Sequence, residues 1–318
     1  MPIFRRVLRW LFLLSGFIVG SVVAIAAVFA RRMISPPRQR LWATPADLGL
    51  AYEDVHFPAQ DGLRLSGWFL PASADSRRKG GTIVLVHGWP WNRLGEAADD
   101  LLSNLTGSTP VDLLRLAHAL HHDGYHVLML DLRNHGESAS SPPTTFGRDE
   151  AKDLLGALAY LNGRDDVDGA RIGAVGFSAG ANTILYSLTQ TNQIKAAIAV
   201  QPTSPAIFAR RFGADILGPL GRLTLLLAEL FYRAAGGPRL GELRPASAAT
   251  ITANTPVLLV QGNGDRWGSM EDVARMAAAI PQARGPLYPD TTHRFEGYQY
   301  VIDNPKIVTA FFEQHLPE

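Results

Sequence analysis

Short runs of apolar, often β-branched residues recur along the chain and predict buried β-strands. Residues 82–88 read TIVLVHG, and later runs of the same character are YHVLMLDLR, RIGAVGF, IKAAIAV and PVLLVQG. Such runs are typical of strands that are covered on both faces of a parallel sheet. Before them, apolar and polar residues alternate on both sides of Asp61-Gly62, which predicts two strands joined by a turn.

Segments in which apolar residues follow a helical spacing separate these runs. They are residues 111–123, 146–162, 179–189, 270–280 and 305–315. Buried strands that alternate with helices indicate an α/β protein with a mainly parallel central sheet flanked by helices. We place this domain at residues 51–318.

Residues 203–252 separate two predicted strands by more chain than a single crossover helix needs. The segment contains ILGPLGRLTLLLAELFYRAAGG, which is strongly apolar. We interpret it as a helical cap insertion over the carboxyl edge of the sheet, where ligands of open α/β sheets bind. A simple helical insertion packed on the sheet is the plainer interpretation, and the two are compatible because a cap must also pack. Gly, Pro and Arg interrupt it too often for a second membrane span.

The N-terminal part of the chain has a different pattern. Residues 10–30 contain no charged side chain, and arginines stand on both sides of them. As a helix that rises about 1.5 Å per residue, this segment covers the hydrocarbon core of a bilayer. We interpret it as an uncleaved transmembrane anchor, with a tail at 1–9 and a linker at 31–50. The alternatives are a buried core helix and a cleaved signal peptide, whose apolar region usually has only about 7–15 residues.

This segment predicts a single-pass membrane protein, although the arginines nearly balance and leave the orientation open. The amino-acid composition is rich in Arg, Ala, Pro and Leu and poor in Lys. This composition indicates a bacterium with GC-rich DNA, and hence the bacterial cell membrane as the location. The net charge of the 318-residue chain is +1, so charge gives no indication of a nucleic-acid partner. Cysteine is absent, which excludes disulfides, thiol catalysis and thiolate metal sites.

The sequence GFSAG, in which Ser178 stands between Gly176 and Gly180, lies where a predicted strand meets a predicted helix. A sharp turn at this point strains its central residue, and glycines two positions before and after relieve the crowding. The turn lifts the serine hydroxyl clear of the sheet at a helix N-terminus. We therefore interpret Ser178 as a nucleophile, with an ordinary tight turn as the alternative.

A nucleophilic serine needs a base that takes its proton and a carboxylate that orients the base. In a site of this architecture the order along the chain is Ser, acid, His. Asp265 follows the strand PVLLV, and His293 follows the last short strand pattern, so both are expected in loops at the same sheet edge as Ser178. Asp290 is the main alternative for the acid. Its non-catalytic interpretation is that its side chain forms an Asx turn in the loop.

The reaction also needs hydrogen-bond donors for an oxyanion. The Ala179 backbone N–H, directly after the nucleophile, is one expected donor. The Trp89 N–H, in the loop after TIVLV, is the other, since Pro90 has no N–H. We expect His87 to orient this loop by hydrogen bonding rather than to act as a base.

Together, the motifs LVHGWPWN, DLRNHGES, GFSAG, VQGNGD and DTTHRF resemble the α/β-hydrolase fold superfamily from residue 52 onward. More narrowly, the chain resembles the serine aminopeptidase-like (hydrolase-4) branch, many of whose members are esterases or lipases. The resemblance implies that Asp131, Arg133 and His135 are scaffold beside the oxyanion hole. The chain departs from common members in its second loop tryptophan, Trp91, and in residues 93–110, which we expect to be an inserted loop.

These observations predict a membrane-anchored serine hydrolase that cleaves carboxylic esters, with a Ser178–His293–Asp265 triad and an acyl-serine intermediate. The apolar cap segment and the anchor favour a hydrophobic, lipid-like acyl ester as the small-molecule substrate. No metal or organic cofactor is implied. The alternatives are a serine peptidase or amidase of the same fold, and a non-catalytic, membrane-tethered binding protein.

Overall fold

A mainly parallel sheet forms the centre of the computed structural model, which describes residues 2–73, 75–78, 80–245 and 254–317. The strands run in the order β1-β2-β6-β3-β7-β8-β9-β10, and only the β1–β2 and β2–β6 pairs are antiparallel. A separate small sheet pairs β4 with β5. The strands are β1 Glu53–Pro58, β2 Arg64–Leu70, β3 Thr82–Val86, β4 Gly95–Glu96, β5 Val111–Asp112, β6 His126–Leu130, β7 Ile172–Phe177, β8 Ile194–Val200, β9 Val257–Val260 and β10 Ala283–Leu287.

Helices cover both faces of the sheet and extend beyond it. They are α1 Pro2–Ile34, α2 Leu101–Thr106, α3 Leu113–His122, α4 Ala151–Asn162, α5 Ala179–Ser187, α6 Pro205–Leu217, α7 Gly221–Ala234, α8 Met270–Ala279, α9 Arg294–Asp303 and α10 Pro305–His315. Short 3-10 helices lie at Pro45–Leu48, Gly218–Leu220 and Leu240–Glu242.

The buried strands confirm the predicted α/β architecture. Every residue of β3, β6 and β7 is buried, because apolar clusters pack on each face of the sheet. The predicted turn at Asp61-Gly62 joins β1 to β2, and Gly62 has a φ of 85°, which favours glycine. The carboxyl ends of the parallel strands share one edge, where the loops that follow them meet.

The structure departs from the sequence-based expectations in three segments. Helix α4 begins at Ala151 rather than near residue 146, because Phe146 and Gly147 have φ of 53° and 121°. Residues 93–110 are not one loop, since they contain β4 and the short helix α2, which Asp100 caps by accepting a hydrogen bond from the Ser103 N–H. Helix α9, Arg294–Asp303, is absent from the segments with helical spacing, and it begins directly after His293.

Helices α6 and α7 form the insertion between β8 and β9, as residues 203–252 predict; residues 246–252 of that range lie outside the described residues. Helix α7 packs along α1. The buried centre of their contact consists of small side chains, Ala26 and Ala30 on α1 and Ala228 on α7, and larger apolar side chains pack around it. Small residues at such a contact allow two helix backbones to approach closely.

Helix α1 is long and apolar enough to cross a membrane by its length and composition. Most of its apolar side chains are exposed in the folded chain, from Ile3 to Phe17 without interruption along the helix. One face becomes buried from Val22 onward, where the helix meets the rest of the protein. The helix therefore has an unpacked N-terminal part and a packed C-terminal part.

Candidate active site

Ser178 lies at the junction of β7 and α5 in a backbone conformation that few residues adopt. Its φ and ψ are 53° and −113°, outside the regions that L-residues ordinarily populate. Its N–H donates to the Val200 carbonyl at 2.9 Å, which ties the turn to the neighbouring strand. A strained residue held by a rigid scaffold is a candidate functional position.

The turn depends on the glycines at the two flanking positions. A β-carbon on Gly176 would lie 2.4 Å from the Gly180 carbonyl oxygen, and one on Gly180 would lie 2.2 Å from the Val86 carbonyl oxygen. Backbone atoms in a packed interior cannot move aside to relieve such overlaps. Glycine is therefore required for α5 to start directly above the sheet and present the Ser178 hydroxyl.

The guanidinium of Arg294 lies between Ser178 and Asp265 and donates hydrogen bonds to both. Its Nη2 is 3.1 Å from the Ser178 Oγ, and its Nη1 is 2.5 Å from the Asp265 Oδ2. Burial alone would lower the pKa of Arg294, but the Asp265 carboxylate raises it above its ordinary value. The guanidinium therefore stays charged and has no lone pair that could accept the serine proton.

Asp265 is a buried carboxylate in the loop after β9, with hydrogen bonds to both oxygens. Its Oδ1 accepts from the backbone N–H groups of Trp267 and Gly268 at 3.0 and 2.9 Å. Its Oδ2 accepts from the Gln261 side chain at 3.1 Å as well as from Arg294. These bonds hold the carboxylate at the sheet edge where the sequence predicts it.

His293 does not lie between Ser178 and Asp265, and in this respect the structure differs from the arrangement that the sequence predicts. It is the residue before α9, with extended backbone, and adjacent residues at a helix start point in different directions. Its Nε2 lies 3.4 Å from the Glu296 Oε1. Its Nδ1 is buried and has no hydrogen-bond partner among the described residues. The role of His293 as the base therefore stays a prediction.

Asp290, the alternative acid, lies on the surface. Its Oδ1 accepts a hydrogen bond from the Asn263 side chain at 2.9 Å. Across the described ranges it shares no hydrogen bond with Ser178, His293 or Arg294. This placement favours Asp265 as the acid.

An apolar cavity of about 160 Å³ lies in front of Ser178. Its walls come from α1, α6, α7 and the loops that follow β3 and β6, and they include Phe29, Met33, Trp89, Phe146, Phe208 and Leu225. The cavity is thus formed between the cap, the N-terminal helix and the carboxyl edge of the sheet. Within the part of the chain that the structure describes, no group of His, Asp or Glu side chains could hold a metal ion.

The predicted oxyanion donors line the same cavity as Ser178. Ala179 is the first residue of α5, so its N–H has no partner within the helix. Trp89 follows Gly88 in the loop after β3, and its indole Nε1 is buried without a partner in the described ranges. The two residues whose backbone N–H groups are the predicted oxyanion donors thus line one cavity with Ser178.

Hydrogen bonds of a buried imidazole and of a buried ion pair fix the loops that follow β3 and β6, beneath the site. His87 bonds the Gly88 carbonyl through Nδ1 at 2.7 Å and accepts from the Leu132 N–H through Nε2 at 3.0 Å. Burial and the neighbouring His135 lower the pKa of His87 to about 3, so the ring is neutral. Asp131 accepts from the Arg93 side chain at 2.7 Å, and Arg93 keeps the pKa of Asp131 low although burial opposes it.

Sequence reasoning missed two residues of the site, Arg294 and Tyr298. The Arg294 guanidinium lies over the Tyr298 ring, 5.4 Å from its centroid, and burial raises the pKa of the Tyr298 hydroxyl to about 12. The two residues are four positions apart on α9, a spacing that brings side chains together on a helix. This four-residue spacing is the signal in the sequence, and it becomes informative once residues 294–303 are recognised as a helix.

A sequence profile of the alpha/beta hydrolase family matches residues 83–316. Among curated proteins, the uncharacterized protein YfhR of Salmonella typhimurium is 28% identical over 185 residues, which make up 58% of this chain and 55% of that protein. The match thus spans about half the length of this relative.

Solved structures agree in fold. The Pyrococcus furiosus esterase Pf2001 superimposes with a TM-score of 0.64 at 23% identity, over 90% of this chain and 99% of that chain. The acylaminoacyl peptidase of Pyrococcus horikoshii superimposes with a TM-score of 0.58 at 17% identity, over 84% of this chain and 42% of that chain. The profile is that of the family as a whole, so the serine aminopeptidase-like branch stays a prediction. Because the profile covers most of the chain and the fold agrees with it, the chain belongs to the alpha/beta hydrolase family.

Proposed function

We propose that the protein is a membrane-anchored serine hydrolase that cleaves carboxylic esters with an apolar acyl group. The observation that carries the proposal is the Ser178 hydroxyl, which stands on a strained strand–helix turn beside an apolar cavity. Membership of a hydrolase family supports hydrolysis, and the apolar walls favour an uncharged acyl chain. The cavity is similar in size to one of about 150 Å³ that holds benzene, so it has room for a short acyl segment.

In the proposed reaction the Ser178 oxygen attacks the acyl carbonyl, and the N–H groups of Ala179 and Trp89 stabilise the oxyanion. The serine proton passes to His293 and then to the departing alkoxide, which leaves an acyl-serine. Water hydrolyses the acyl-serine by the same proton route in reverse. Asp265 holds the imidazole in the tautomer that can accept the proton.

This reaction requires His293 and Arg294 to exchange places. Arg294 occupies the Asp265 carboxylate and cannot act as a base. His293 is the adjacent residue, and its buried, unpaired Nδ1 is the atom that would bind Asp265. We propose that the start of α9 moves, so that Arg294 leaves Asp265 and His293 takes its position. The arrangement with Arg294 is then a resting state in which Ser178 has no base.

The proposed anchor is the uncharged segment of α1, residues 10–30, with arginines at both ends. Its exposed apolar side chains support a place in lipid, since exposed apolar surface of this size is unfavourable in water. Intact-mass analysis of protein extracted from membranes tests the anchor, because a cleaved signal peptide would remove the segment.

A fluorophosphonate probe tests the activity, since it reacts only with an activated serine. The full-length wild-type protein in detergent is expected to become labelled at Ser178, and Ser178→Ala is expected to show no labelling. Ser187→Ala is the matched control, because Ser187 lies on the same helix and donates to the Thr183 carbonyl at 2.8 Å, away from the cavity. A folded wild-type protein that the probe does not label would contradict the proposed function.

A second candidate is a non-catalytic, membrane-tethered binding protein. The observation that favours it is the position of Arg294, which blocks the contact between an acid and a base. The absence of labelling in a folded protein would favour this candidate. If the probe labels the protein, faster cleavage of peptide amides than of acyl esters would indicate the peptidase alternative.

A further inference from the structure

The cap helix α7 has an exposed stripe of leucines. Leu220, at its N-cap, and Leu223, Leu226 and Leu230 are 46%, 51%, 56% and 55% exposed. Their spacing of three or four residues places them on one helix face. Exposed leucines in a continuous row are unusual on a soluble surface and mark a contact with something apolar.

No charged side chain interrupts this stripe. Glu229 accepts a hydrogen bond from the Leu240 N–H at 2.9 Å, so its carboxylate is used within the protein. Arg222 and Arg233 are exposed near the two ends of the helix. Basic residues at the ends of an apolar helix face match the phosphate layer that borders the hydrocarbon of a bilayer.

Helix α7 lies beside α1 over the part of α1 that contains Ala26 and Ala30. These residues fall within the uncharged segment 10–30, which under the proposed function lies in the hydrocarbon of the membrane. The leucine stripe of α7 therefore continues the lipid-facing surface of α1. This continuity identifies the bilayer as the partner of the stripe.

The same two helices form part of the cavity wall in front of Ser178. Phe29 and Met33 of α1 and Leu225 of α7 line the cavity, whereas Leu226 and Leu230 are exposed outside. One layer of helix thus separates the proposed lipid surface from the cavity. The cavity therefore lies directly behind the proposed lipid surface.

We propose that the outer face of α7 lies in the membrane beside α1 and that the substrate is an amphiphilic ester dissolved in the bilayer. The inference rests on the proposed function, because it names the substrate class of the same site. It adds a membrane contact that belongs to the cap, and it makes α1 a wall of the active site as well as an anchor.

Fluorescence quenching tests the membrane contact without any need for catalysis. The natural chain has no cysteine, so Leu226→Cys can be labelled with an NBD dye at a single position. In vesicles that contain doxyl-labelled phospholipids, strong quenching is expected. Gln193→Cys is the control, because it is exposed before the start of β8, at the opposite sheet edge from Ser178, and should not be quenched.

Activity tests the substrate class. In the same vesicles, the pair Leu226→Ser and Leu230→Ser should reduce kcat/KM for a long-chain ester embedded in the bilayer by at least about tenfold, since membrane contact scales with apolar area. Turnover of a dissolved short-chain ester should stay within about twofold of wild type. The control pair, Leu48→Ser and Leu287→Ser, removes two exposed leucines elsewhere and should change neither.

The outcomes separate the parts of the inference. Equal quenching at positions 226 and 193 would overturn the membrane contact, even in an active enzyme. Quenching that is confined to position 226, together with unchanged use of the embedded ester, would overturn the substrate class. An NBD signal that is shielded from water but not quenched by the doxyl lipids, together with a disulfide-linked dimer of the unlabelled Leu226→Cys protein under oxidising conditions, would assign the stripe to a second copy of the chain. Absent turnover and absent fluorophosphonate labelling would overturn the proposed function and the substrate class, while the quenching result would stand.

Discussion

Arg294 is the residue whose position most affects the chemistry of the site. Its positive charge neutralises the buried Asp265 carboxylate, and its second nitrogen donates to the hydroxyl that we propose as the nucleophile. A buried ion pair of this kind strongly resists the loss of one partner, because the remaining charge is left without compensation. Arg294 therefore contributes to the stability of this arrangement, and under the proposed mechanism it opposes the movement of His293 toward Asp265.

Replacement of Arg294 tests this contribution. Arg294→Leu should lower the free energy of unfolding by about 3–5 kcal/mol, because the Asp265 carboxylate stays buried without an opposite charge. The double variant Arg294→Leu with Asp265→Asn should recover part of this loss, since the amide carries no charge. Arg266→Leu, at a side chain that is 71% exposed, should change the stability by less than about 0.5 kcal/mol. Thermal unfolding in detergent measures all three variants.

Kinetic measurements on variants of Asp265 and His293 test their proposed roles as acid and base. Asp265→Asn and His293→Ala should each lower kcat for a soluble ester by about 10³-fold or more, whereas Asp290→Asn should stay within about twofold. Asp290 makes its contact with Asn263 at the surface, so its loss leaves the cavity intact. A larger loss in Asp290→Asn than in Asp265→Asn would reverse the acid assignment, and a fully active His293→Ala would exclude His293 as the base.

At the scale of the element, the loop after β3 depends on a neutral histidine. Burial, with a contribution from His135, lowers the pKa of His87 to about 3, whereas an unfolded histidine titrates near about 6.5. Below the unfolded pKa the unfolded chain therefore binds a proton that the folded chain does not bind. The contribution to stability is complete above pH ~6.5 and falls as the pH decreases toward 3, by up to about 1.4 kcal/mol per pH unit.

Thermal unfolding between pH 7 and pH 5 measures this effect in a range where few exposed carboxyl groups titrate. The Tm of the wild-type protein should fall with pH, and His87→Gln should show a smaller slope. The exposed His118→Gln is the matched control and should keep the wild-type slope. Equal slopes in His87→Gln and in the wild type would contradict the assignment of the effect to this ring.

The strands could be predicted from the sequence because a buried parallel strand needs apolar residues on both faces, as in TIVLV and IGAVGF. The turn at Ser178 could be predicted because only glycine fits at Gly176 and Gly180. The choice between His293 and Arg294 could not be predicted in this way. The two residues are adjacent at the start of α9, and tertiary contacts with Asp265 and Tyr298 decide which side chain points inward.

At the scale of the whole molecule, the contact between α1 and α7 joins the N-terminal helix to the cap. Ala26 is fully buried in this contact, whereas Ala27 is exposed on the same helix. Ala26→Leu should destabilise the protein by about 1–3 kcal/mol, because two closely spaced helices cannot accept a larger side chain without moving apart. Ala27→Leu should have little effect on stability.

Limited proteolysis and thermal unfolding in detergent distinguish the two variants. Ala26→Leu should expose the segment after α1 to cleavage at lower temperature than the wild-type protein or Ala27→Leu. Identical behaviour of both variants would mean that α1 does not pack on α7 in solution.

The position of Phe29 and Met33 in the cavity wall has a practical consequence for protein production. Removal of an apolar N-terminal helix is a common way to obtain a soluble enzyme. In this protein the same truncation would remove one side of the cavity in front of Ser178 and uncover Ala228 and the side chains around it. If the protein cleaves acyl esters as we propose, chain-length preferences measured on a truncated protein would describe a wider, more hydrated cavity. Inhibitor screening and substrate profiling therefore require the full-length chain in detergent or lipid.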